Sequence, residues 1–183
     1  MTKIVPHSFF EDRAPVVAEN IIGCYLARKI GKTITRYLIT EVEAYDGTKD
    51  KASHAYRGQT PRNEIMFGPA GYLYVYFVYG MHWLMNIVTG PNNYPSAILI
   101  RGLHKISGPA RLTQALFISG EHNKIKLGKK SGIWIEARSE PFTKKDIVRT
   151  ERIGIDYAGE FWKKKKWRFV LRPDHPSLIE KAG

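Results

Sequence analysis

Cysteine is nearly absent: Cys24 alone among 183 residues excludes an internal disulfide and any cysteine-cluster metal site. It stands between Gly23 and the apolar pair Tyr25-Leu26 and reads as a packing residue. No apolar run approaches the ~18 residues of a membrane-crossing helix. The opening segment MTKIVPHSFFEDRAP lacks the apolar stretch of a secretory signal, so neither export nor membrane insertion is expected. Repeats, low-complexity tracts and dividing linkers are also missing, and a single domain over residues 1–183 is expected. Acid is scarce as well. Seventeen Asp+Glu face 29 Lys+Arg, a net charge of +12, which draws the chain to polyanions through salt-sensitive binding. Nucleic acid is the first candidate and an anionic membrane surface the second. Basic residues recur at 124–130 and 163–166 and singly throughout, as on a folded basic face, although ordinary solubility charge gives a similar count.

What is present suffices for a core: 43% of the residues are hydrophobic and 12% aromatic. A helix is expected over Ala14 to Ile22, with Pro15 in its first turn and Gly23 stopping it. CYLARKI and TITRYLITEVEAY, separated by Gly31-Lys32, read as a hairpin with Ile34, Leu38 and Val42 on one face. Residues 46–71 carry the Gly, Pro, Ser and Asn of a long functional loop. YLYVYFVY, WLMNIVT and SAILIRGL read as three further strands, and IWIEA, DIVRT and WRFVLR as short ones. Gly108-Pro109 opens a helix over ARLTQALFI with Leu112, Leu116 and Ile118 inward. Strands clustered with a few helices predict an α+β fold, mostly an antiparallel curved β-sheet with short helices around it.

The chemistry concentrates between Glu41 and Asn86. Glu41 and Glu43 share a strand face, and a carboxylate among rings is desolvated and suited to take a proton from water. Two surface acids on an edge strand fit the spacing equally well. Tyr72, Tyr74 and Tyr76 share one face, with Tyr79 at the following turn, so four of the ten tyrosines lie together. Such rings stack bases, and a large side chain at a strand end can hold a duplex open. A cross-strand aromatic cluster is the plainer reading. His54 with Asp46, Asp50 and the glutamates can be drawn as a hard-metal site, but no recognised ligand spacing is present and a hydrogen-bonding or stacking role is favoured. Thr60, Arg62, Asn63 and Arg101 suit phosphate contact or loop bracing, and a buried Arg101 would need Glu41 or Glu43 as partner.

Together with these segments, ITEVEAYDG, DKASHA, RGQTPRNEIMF, YVYFVYGMHWLMNIVT, AILIRG, GPARLTQAL, RIGI and WRF follow one another from about Phe9 to Val170. In this order the chain resembles the alkyladenine (3-methyladenine, or N-methylpurine) DNA glycosylases. The resemblance implies a monofunctional base-excision enzyme that flips alkylated, deaminated or etheno purines out of duplex DNA and hydrolyses the N-glycosidic bond. By the same resemblance, Glu43 is the general base and Arg101 holds the attacking water. Tyr45, His54 and Tyr76 wall the base pocket, Asn86 obstructs the 2-amino group of guanine, and Tyr79 is the wedge. Thr60 and Met66 touch the DNA backbone, joined by Arg62. It implies neither metal nor other cofactor, and damaged double-stranded DNA as the partner of a monomer without an obligate protein partner or membrane. A cytoplasmic, nucleoid-associated location is expected in a prokaryote and a nuclear one in a eukaryote. The segment between Arg101 and Gly108 is shorter than in larger relatives. A non-catalytic binder of damaged DNA and an RNA-binding module are the alternatives, and a water-activating pair such as Glu43 and Arg101 serves neither.

Overall fold

A computed structural model of the chain describes residues 3–138 and 142–178. Nine strands among these residues form one antiparallel sheet: β1 (Tyr25–Ile30), β2 (Thr33–Asp46), β3 (Leu73–Val78), β4 (His82–Val88), β5 (Ser96–Leu103), β6 (Ile106–Ser107), β7 (Ile133–Glu136), β8 (Ile147–Thr150) and β9 (Arg168–Leu171). The main path runs β3-β4-β5-β2-β1-β7, with β6 beside β5 and the β8–β9 ribbon attached to β2. Three short helices, α1 (Ala14–Ile21), α2 (Pro109–Ala115) and α3 (Glu160–Lys163), surround it. The expected α+β architecture is therefore present.

Period-two alternation decides which side of the sheet does what. On one face Val42, Ala44, Leu73, Val75, Met85, Ile87, Ile98 and Ile100 meet Ala14, Val17, Ala18 and Ile21 of α1 and Leu112 of α2 in the main core. The helical spacing 14, 17, 18, 21 is what lets α1 lay one apolar stripe on the sheet. Each such Leu, Ile or Val buries enough apolar surface to stabilise the fold by roughly 1.5–3 kcal/mol. Gly23 ends α1 in a left-handed turn (φ +80°), and a Cβ there would lie 2.5 Å from the Phe142 ring. Only glycine fits both demands.

Ile34 shares the face of Leu38 but is 42% exposed, because 33–36 form the tip of the β1–β2 hairpin with solvent on both faces. Leu38 and Ile39 are both buried, since register shifts between Ile39 and Val42 interrupt the alternation. The 46–71 segment is a loop as expected, but 3-10 turns at His54–Arg57 and Glu64–Phe67 give it local structure. Buried Asn63 ties that loop together, donating to the His54 and Gly58 carbonyls and accepting from the Thr60 N–H at 2.7 Å. Cys24 is buried, and Leu112, Leu116 and Ile118 point inward.

Candidate active site

The opposite face of the sheet carries the polar chemistry. Strand register aligns Tyr74 on β3 with Asn86 on β4, Asn86 with Leu99 on β5, and Leu99 with Glu43 on β2. Residues two positions along share that face, so Tyr45, Tyr76, Ala97 and Arg101 join the row. Together with Ala52 and His54 from the loop and 153–155 and Tyr157 from the chain after β8, they line a cavity of about 570 Å³.

Glu43 is fully buried and lies directly behind this lining. Its Oε2 accepts from the Tyr45 hydroxyl at 2.9 Å and from Arg101 Nη1 at 3.4 Å, while Oε1 accepts from the Ile153 N–H at 2.7 Å. A carboxylate oxygen takes two donors, so Oε1 retains one lone pair for a further partner such as water. Burial raises the Glu43 pKa above the ordinary carboxylate value, and Arg101, the Ile153 N–H, Tyr45 and Arg152 oppose it. Arg101 is the bridge anticipated for a buried arginine. Its Nε donates to Glu41 at 2.9 Å, and Arg168 donates to the same Glu41 oxygen at 2.6 Å. Glu41 thus holds Arg101 in place, and Glu43 is the carboxylate next to the cavity.

The walls are rings. His54 sits 4.6 Å from Tyr76, edge to face, and Tyr74 lies 5.0 Å from Tyr76. His54 Nδ1 is 2.8 Å from the Tyr74 hydroxyl. The residue is exposed, yet desolvation and then the charge of Arg62 push its pKa down to about 4, leaving it neutral at pH 7. Burial raises Tyr74 to about 12 and Tyr45 and Tyr76 well above the usual phenol value, so all three stay protonated donors. The Asn86 amide donates to the Tyr74 carbonyl at 3.1 Å, which fixes its side chain at the cavity wall.

At the rim, Tyr79 is 89% exposed and opens the turn to β4 in the left-handed region (φ +52°), followed by Gly80 (φ +66°). Arg62 is also exposed, 5.4 Å from the Tyr76 ring centroid, and donates to the Phe77 carbonyl at 3.0 Å. Thr60 lies exposed on the same loop. Met66 differs from the rest: it is 2% exposed and packs into the wall beside Ala55, Tyr74, Val88 and Ala97. Its side chain is not presented to an outer surface. The acids once drawn as a metal set each have another partner: Arg13 for Asp46, Arg152 for Asp50, arginines for Glu41 and Glu43. Among the described residues no three His, Cys, Asp or Glu gather at one point.

Four participants were not given roles by the sequence: Arg152, Ile153, Tyr157 and Arg168. Arg152 and Ile153 open the RIGI segment, so the signal was the motif itself. The backbone N–H of Ile153 leaves no trace in residue identity.

A buried carboxylate backed by arginine, a ring-walled cavity and an exposed tyrosine at its rim on a strongly basic chain define a class of protein that acts on flat rings carried by a polyanion. Residues 8–108 and 103–175 match the family described as methylpurine-DNA glycosylase (MPG), and the chain belongs to that family. Proteins named "Putative 3-methyladenine DNA glycosylase" are similar to it over most of their length. One from Anaeromyxobacter dehalogenans is 39% identical over 92% of this chain and 83% of its own. One from Carboxydothermus hydrogenoformans is 39% identical over 92% and 95%, and one from a Wolbachia of Brugia malayi 41% identical over 92% and 98%.

Proposed function

We propose that this protein is a monofunctional DNA glycosylase that removes methylated purines, 3-methyladenine and 7-methylguanine among them, from duplex DNA. The observation that carries the reading is the buried Glu43 carboxylate, clamped by Arg101, Tyr45 and the Ile153 N–H directly behind an aromatic cavity. The flipped purine stacks among Tyr45, His54 and Tyr76, with Tyr79 filling the gap left in the duplex. A cationic methylpurine is held by cation–π attraction and is already a good leaving group. Arg101 holds the weakest of the three bonds to Glu43, and its movement admits water. Glu43 takes a proton from that water, whose oxygen bonds to C1′. The N-glycosidic pair departs with the base, neutralising its charge, and an abasic sugar remains. A hydrolase of this kind forms no imine with the sugar, and among the described residues no lysine lines the cavity.

Incubation with methylated duplex DNA tests the reading. Chromatography should show free 3-methyladenine, and the strand should break only after alkali. Lesion binding with every base left in place would make the protein a damage binder.

A further inference from the structure

The pair Arg152–Asp50 has no part in the steps above, yet it packs on Tyr45 and directly precedes Ile153, two of the groups that do. Both side chains are 0% exposed. Arg152 donates to the two Asp50 oxygens at 2.6 and 2.9 Å, and its Nη1 also donates to the Ala44 carbonyl at 2.9 Å. Its guanidinium lies 4.8 Å from the Tyr45 ring centroid and 5.2 Å from that of Trp167. Asp50 in turn accepts from the Ala52 N–H at 3.0 Å, and so pins the loop that carries His54. The next residue, Ile153, gives its N–H to Glu43 at 2.7 Å.

As a stabiliser the pair is a poor design. A buried ion pair scarcely outperforms an apolar isostere of its size, and buried Arg152 Nε finds no hydrogen-bond partner among the described residues. What such a pair supplies is register, because a bidentate fork allows one orientation only. Here the orientation fixes three things at once: the Ala44 backbone between Glu43 and Tyr45, the Tyr45 ring, and the chain direction at Ile153.

We infer that Arg152, clamped by Asp50, is a positioning residue for excision, setting the Tyr45 ring and the Ile153 N–H against the Glu43 carboxylate. The inference rests on the glycosylase reading above. The groups around Glu43 are Glu41 and Tyr45 on β2, Arg101 on β5, Tyr76 on β3, Arg168 on β9 through Glu41, and Arg152 and Tyr157 on the chain after β8 with Asp50 behind them. Arg152 is one of the cations that oppose protonation of Glu43, so its loss raises the pH at which the base ionises.

The test compares wild type, Glu43→Gln, the neutral pair Asp50→Asn/Arg152→Gln, Arg152→Lys, and Ile135→Val as a core control remote from the cavity. The readouts are the pH profile of kcat, KM, and Kd for a lesion duplex. The neutral pair should lose about tenfold or more in kcat with KM and Kd within about threefold, and its acid limb should move up. Arg152→Lys keeps the charge but not the fork, so its acid limb should stay near wild type while kcat falls. A neutral pair whose kcat and acid limb match the Ile135→Val control overturns the inference. Should the neutral pair not fold, Arg152→Lys decides, and an unchanged kcat overturns it. The arms separate the two claims. If wild type releases no base, the glycosylase reading fails and the inference with it. If wild type releases base and Glu43→Gln does not, the Arg152 variants alone decide.

Discussion

Tyr79 sets function against stability, and Tyr79→Gly separates them. The residue holds φ +52° and is 89% exposed, so it contributes little packing. A left-handed non-glycine residue costs about 1–2 kcal/mol. Glycine removes that cost but adds about 0.5–1 kcal/mol of chain entropy to the unfolded state. The fold should therefore gain between about 0 and 1.5 kcal/mol, or roughly 0–6 °C in Tm for a chain of this size. Binding should move the other way. Losing a ring that stacks in the duplex removes roughly 1–3 kcal/mol, about a 5- to 150-fold rise in Kd for a lesion duplex. Thermal melting and fluorescence anisotropy on the same preparation measure both. A Tm that falls by more than about 3 °C would show that the tyrosine packs after all, and a lesion Kd within twofold of wild type would refute its role as wedge.

Three further outcomes follow from the site. Glu43 acts as a base only when ionised, and burial raises its pKa, so kcat should fall as pH drops through that raised value. Desolvation holds His54 below the ordinary imidazole value, at about 4; His54→Gln should lower the rate and leave the acid limb in place, and a limb that moves with it would reassign the titration. Asn86→Ser removes an amide fixed by the Tyr74 carbonyl at 3.1 Å, and release of undamaged guanine should rise about tenfold. Unaltered discrimination against guanine would reject that role.

Much of this was legible in residue pattern. Alternation in YLYVYFVY is a local property, and it placed Tyr74 and Tyr76 on one face, where both line the cavity. The need of a buried guanidinium for a carboxylate pointed Arg101 at Glu41 and Glu43, and the structure brings all three together. Ile34 is exposed all the same: alternation shows which face a residue takes but not whether anything covers that face. The Asp50–Arg152 bond spans 102 positions, and nothing local to Asp50 separates a clamp from a metal ligand. Met66 illustrates the same limit: it sits in a polar loop by sequence and in a wall by structure.

The central claim is that Glu43 activates water without being needed to hold the lesion. Single-turnover excision of 3-methyladenine by wild type and Glu43→Gln, with lesion Kd measured alongside, tests it most directly. The amide retains the shape and an acceptor for the Ile153 N–H but cannot take the proton. The account predicts a fall of about 10²–10⁴ in rate with Kd within about threefold. Turnover within tenfold of wild type would contradict it and place the base elsewhere.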